Sequence, residues 1–90
     1  MTDEQFARYW LEVHAPLAKM MPGLRKYVAN LVQRPPNREP EYSGIVELWF
    51  EDRDAMKKAF ASPEGKKTQE DSETFTKSLT TLFINEHPIM

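Results

Sequence analysis

His14 is the side chain in this sequence best placed to do chemistry. An imidazole titrates near about pH 6.5, so it both donates and accepts protons at neutral pH. His14 stands four residues after Trp10 and two before Pro16. Pro16 cannot donate to the carbonyl of Glu12, and it disfavours the helical conformation at Ala15. A helix through this stretch should therefore kink or end near His14–Ala15, opening space beside the ring. A helix end also favours a protonated imidazole. Two readings follow. His14 is an acid or base in a pocket, or it is a structural histidine bonded to a carbonyl such as the one Pro16 frees.

Tyr27 carries a hydroxyl that must find a partner if it is buried, or that can orient a ligand carbonyl. Trp10 and Trp49 are large enough to wall a pocket, although plain core or interface packing suits Trp49 and Phe50 as well. Asn30 is a further ligand-contact candidate on the strand of Tyr27, but on the alternate face. Glu47 and Glu86 are carboxylates among apolar strand neighbours. Such a group can act as a base with a raised pKa, or it can be an exposed or ion-paired strand residue. The two histidines, His14 and His87, are far apart and there is no cysteine, so no metal site is expected. No glycine-rich phosphate loop and no nucleophile-elbow serine is present. No cofactor is expected.

These residues need elements to position them. Thr2 and Gln5 fit a capping box. Phe6, Trp10, Val13 and Leu17 then share a helical face, with Tyr9 and His14 at its edges. Pro22-Gly23 is a turn signal. Leu24 to Arg34 alternates as a strand, with Tyr27, Ala29 and Leu31 on one side and Val28, Asn30 and Val32 on the other. Three prolines make Arg34–Pro40 a loop. Gly44 to Glu51 is a second strand: Val46, Leu48 and Phe50 oppose Ile45, Glu47 and Trp49. Asp52 or Asp54 can cap a helix that turns Met56, Ala59 and Phe60 inward. Ser62-Pro63 starts another helix. The polar stretch after it, to about Phe75, reads as a weak surface helix or an ordered loop. Leu79 to Glu86 reads as a last strand. Helices segregated over an antiparallel sheet make an α+β domain, here a ferredoxin-like unit lacking its first strand.

The 90 residues are enough for one domain, 1–90, with little core to spare. The net charge is −2, with acids and bases interspersed. Without a basic stripe, nucleic acid is not an expected partner. No apolar run approaches the roughly 20 residues that a membrane span needs, and the acidic start is unlike a signal peptide. A cytoplasmic protein with no membrane contact is expected.

The stretch Phe6-Ala-Arg-Tyr-Trp-Leu-Glu-Val-His14-Ala-Pro-Leu-Ala resembles the signature of the EthD-like family of dimeric α+β barrels. Met21-Pro22-Gly23-Leu24, Gly44–Phe50 and Ala59–Glu64 extend the resemblance over nearly the whole chain. It implies a homodimer packed sheet on sheet, with helices on one face of each sheet. Apolar residues on both strand faces point to the same pairing. Members usually begin with a strand that precedes the first helix, and Met1 stands where that helix begins. The two strands that would flank it should then lack a partner. Relatives include a methylmuconolactone isomerase, polyketide-modifying proteins and an ether-degradation accessory protein. The resemblance implies a pocket histidine at His14 and one of two functions. The first is a cofactor-independent isomerase or related enzyme of aromatic compound catabolism, acting on a lactone, aromatic or polyketide-like small molecule. The second is a non-catalytic, ligand-binding or accessory dimer.

Overall fold

Thr2 begins the first helix through a reciprocal cap. Its hydroxyl accepts from the Gln5 backbone at 3.1 Å, and the Gln5 side chain accepts from the Thr2 backbone at 2.8 Å. In the computed structural model, which describes residues 1–90, α1 spans Asp3–Tyr9. The next turn, Trp10–His14, is a π-helix in which the Ala15 N–H reaches the Trp10 carbonyl. The rod then continues as α2, Ala15–Ala18, with Pro16 in its first turn. The break expected at Pro16 thus takes the form of a widened turn rather than a stop. A proline is tolerated where no intrahelical donor is needed, and the extra residue in the loop absorbs the mismatch. Gly23 closes the segment at φ +84°, a conformation that L side chains rarely adopt.

Two strands follow, β1 at Lys26–Leu31 and β2 at Gly44–Trp49. They pair antiparallel with Tyr27 opposite Leu48 and Ala29 opposite Val46. The register keeps Tyr27, Ala29, Leu31, Val46 and Leu48 on one face, as their alternation requires. Asp52 caps α3 (Arg53–Ala61), and Ser62 caps α4 (Pro63–Phe75) with Pro63 in its first turn. The polar stretch after Ser62 is therefore a full helix of 13 residues. Its buried side chain Thr68 and half-buried Asp71, Ser72 and Phe75 recur at helical spacing.

The helices cover one face of the sheet, giving an α+β arrangement. The core is Ala18, Met21 and Ala59, joined by Leu24, Tyr27, Leu48, Phe50 and Phe60. Only seven residues are buried, so the chain alone encloses a thin core. No helix is long and apolar enough to cross a membrane.

One expected element does not form. Leu79–Glu86 is not a strand, and the sheet has two strands only. Leu82 and Ile84 stay more than 70% exposed. In a ferredoxin-like sheet the last strand pairs with the first, not with β1 or β2. With no such neighbour in this sheet, the alternating pattern has no ladder to join, and alternation alone does not hold a strand. Side-chain contacts link the segment to β2 and to α3. Glu86 accepts from Trp49 Nε1 at a long 3.4 Å, and Arg53 lies 5.2 Å from the Phe83 ring centre.

Gly44 tests the packing of the helical rod on the sheet. A Cβ there would overlap the Trp10 ring and crowd the Asn30 carbonyl. Gly44→Ala is expected to destabilise the fold by about 1–3 kcal/mol, the usual cost of overpacking. A urea titration followed by circular dichroism reads this directly. An unchanged midpoint would mean that the rod does not rest there.

Candidate functional site

The π turn brings Trp10 and His14 into the interior together: they are 4% and 6% exposed. Trp10 lies over the sheet and donates from Nε1 to the Tyr27 hydroxyl at 2.8 Å. That hydroxyl retains its own proton for another acceptor. Burial pushes the Tyr27 phenol above its ordinary pKa, and the bond from Trp10 only partly offsets this.

His14 turns toward α4. Its Nδ1 lies 2.7 Å from Asp71 Oδ2, and the Tyr9 hydroxyl donates to the other oxygen, Oδ1, at 2.5 Å. On the far side of the ring, Nε2 is 3.4 Å from the Ser72 hydroxyl. The Phe75 ring packs at 4.9 Å from the imidazole and also meets Phe6 and Tyr9. Burial pushes the Asp71 carboxyl up, but the bonds from Tyr9 and His14, the His14 charge and Thr74 together hold it below its ordinary value. A carboxylate whose folded pKa is lowered stabilises the fold above its unfolded value near 3.8. That contribution disappears as pH falls through the lower folded value. Asp71→Asn is therefore expected to flatten the acid limb of the stability curve below about pH 4, as read by thermal melts across pH. An acid limb identical to the wild type would remove this carboxylate from the account.

The remaining candidates gather elsewhere. Asn30 donates to Glu47 Oε1 at 3.1 Å and to the Ile45 carbonyl at 3.0 Å. The Lys26 ammonium lies 4.5 Å from the Trp49 ring centre. Asn30, Glu47 and Trp49 form one group on the outer face of the sheet. His14, Trp10 and Tyr27 belong to the helix side. Trp49, expected to share a pocket wall with Trp10, stands on the opposite face within one chain, because adjacent pleats alternate.

Two surface grooves lie away from His14. One, of about 330 Å³, runs between α1 and the end of β1 past Phe6, Ala7 and Leu31. Arg34 spans its rim, paired with Asp3 at 2.9 Å and with Glu39. The second, of about 460 Å³, follows the proline-rich loop. His14 lines neither. No group of three or more His, Cys, Asp or Glu side chains gathers as a metal site would require.

Tyr9, Asp71, Ser72 and Phe75 were not singled out as site residues by sequence reasoning. Asp71 sits in the polar run Gln69–Thr74, which has no apolar stripe to orient it. The available signal was Phe75, a lone aromatic four residues after Asp71, which marks the inward side of α4.

The sequence profile of the EthD domain matches residues 1–78. An 11.0 kDa uncharacterised protein of Rhodococcus erythropolis, from the thcB-thcC intergenic region, is 27% identical over 86 residues, covering 94% of this chain and 84% of that one. A crystal structure of an ethyl tert-butyl ether d (EthD) family protein from Bacillus halodurans superposes with a TM-score of 0.80 at 28% identity. It covers 97% of this chain and 87% of its own.

Proposed function

The chain belongs to the EthD domain family, and from that membership we propose that it is a small-molecule enzyme whose His14 moves a proton to or from its substrate. The observation that carries this reading is the setting of the imidazole. It is 6% exposed, packed on an aromatic ring, and in hydrogen-bond contact with a carboxylate. Excluding water strengthens such contacts and suits a group that must exchange protons with a bound molecule. The fitting substrates are lactone, aromatic or polyketide-like compounds. Proton transfer beside their carbonyls, as in an isomerisation, needs no cofactor. Tyr27 orients the substrate oxygen with its free proton, and Trp10 walls the site.

The enzyme acts as a homodimer in this reading. The outer sheet face presents Val28, Val32, Ile45 and Trp49, with Ile45 53% exposed. A second copy laid on that face would cover them and supply the core that one chain lacks. Asn30, Glu47 and Trp49 then become interface or ligand contacts contributed across the sheet.

A non-catalytic role, as a ligand-binding or accessory dimer in a degradation pathway, draws on one specific observation: both ring nitrogens of His14 face α4, and neither large groove reaches them. Native mass spectrometry of protein purified without denaturation tests the shared part of both readings. A dimer that retains a small organic molecule is expected. A bare monomer at every concentration would sink the paired, pocketed assembly.

A further inference from the structure

We propose that Asp71, braced by Tyr9, is the positioning residue for His14: it fixes the proton on Nδ1 and leaves Nε2 as the atom that exchanges a proton with the substrate. This rests on the reading of His14 as the proton-moving group, and it assigns which side of the ring works.

An ionised carboxylate only accepts. Asp71 accepts from Tyr9 at Oδ1, so the 2.7 Å contact at Oδ2 is satisfied by a proton on His14 Nδ1. That proton stays on Nδ1 whether the ring is neutral or charged. The other nitrogen is loosely held. Ser72 approaches Nε2 at 3.4 Å, the outer limit of a hydrogen bond, and its hydroxyl has a nearer acceptor in the Thr68 carbonyl at 3.1 Å. A substrate oxygen or acidic C–H therefore competes with a weak contact at Nε2 and with a strong one at Nδ1.

The frame around the pair is rigid enough to hold this choice. Asp71 and Ser72 are neighbours on α4, a helix of 13 residues capped by Ser62. Thr74 donates to the Asp71 backbone carbonyl at 2.7 Å. Tyr9 comes from α1, so the carboxylate is gripped from two elements. The ring itself packs against Phe75, tilted at 46° to it with centroids 4.9 Å apart. A carboxylate that selects the tautomer of a working imidazole is a general device.

The test is a long-range proton–nitrogen NMR spectrum of the full chain labelled with nitrogen-15, followed from about pH 5 to 8. The wild type is expected to carry the neutral-form proton on Nδ1. Asp71→Asn is expected to move the neutral-form proton to Nε2, and Asp71→Glu to restore it to Nδ1. A wild-type ring with its neutral-form proton on Nε2 overturns the proposal, and so does an Asp71→Asn ring that keeps the wild-type tautomer. The wild-type spectrum decides the matter even where a variant fails to fold. The parent reading fails separately: full turnover in His14→Ala removes it whatever the tautomer.

Discussion

Trp10→Ala is expected to cost about 3–5 kcal/mol of folding stability. A domain of this size has roughly 5–13 kcal/mol in total, so the variant should sit close to unfolding. The size of the effect follows from what the indole does. It is 4% exposed, it packs 5.6 Å from Phe6, and it leaves no room for a side chain at Gly44. Removing it opens a cavity between the helical rod and the sheet. It also leaves the half-buried Tyr27 hydroxyl without the donor 2.8 Å away. Trp10→Phe keeps most of the packing and loses that bond, so it should cost less than the alanine variant. Val13→Ala is the control, on the same turn but 47% exposed. Urea midpoints rank the three. A Trp10→Ala midpoint no lower than that of Val13→Ala would contradict the packing described.

The second large effect concerns chemistry. His14→Ala is expected to lower turnover about 100- to 10,000-fold, the usual contribution of a positioned acid or base. The loss should fall on kcat with KM little changed, because in the proposed role the ring acts in the transition state and not in ground-state binding. The same substitution removes the partner of Asp71 and leaves a carboxylate held by Tyr9 and Thr74 alone. A stability loss accompanies the kinetic one, so the assay is run well below the melting temperature. His14→Gln, closer in volume and still polar, separates the two effects. It should recover stability and stay inactive.

Much of the scaffold was legible because its signals are local. Thr2 with Gln5, Asp52 or Asp54, and Ser62 before Pro63 each announce a helix start, and Thr2, Asp52 and Ser62 are the observed caps. The alternation through Tyr27–Leu31 and Val46–Phe50 gave the correct faces, since side chains on a strand point alternately whatever the partner. The last strand failed for the complementary reason. Leu82 and Ile84 alternate as well as Val46 and Leu48 do, but pairing depends on an adjacent edge that no local pattern encodes. The π turn was visible only as trouble near Pro16. Whether a helix stops, kinks or widens there depends on what its next turn can bury.

The site divides along the same line. His14, Trp10 and Tyr27 stand out by residue type, and the structure brings them to one side of the sheet. Asp71 and Tyr9 do not stand out. They matter because α4 packs 57 residues away in sequence against the rod that carries His14. A carboxylate in a polar helix gives no sign of its partner until both helices are in place.

The role proposed for His14 is to move protons on a small carbonyl compound. It is tested most directly by incubating the protein in heavy water with a panel of lactones and aryl ketones and reading deuterium uptake by mass spectrometry. Wild-type protein is expected to incorporate solvent deuterium beside the carbonyl of at least one compound, and His14→Gln to incorporate none above the uncatalysed rate. Equal uptake by the two proteins, on a compound that the wild type clearly turns over, would contradict the claim.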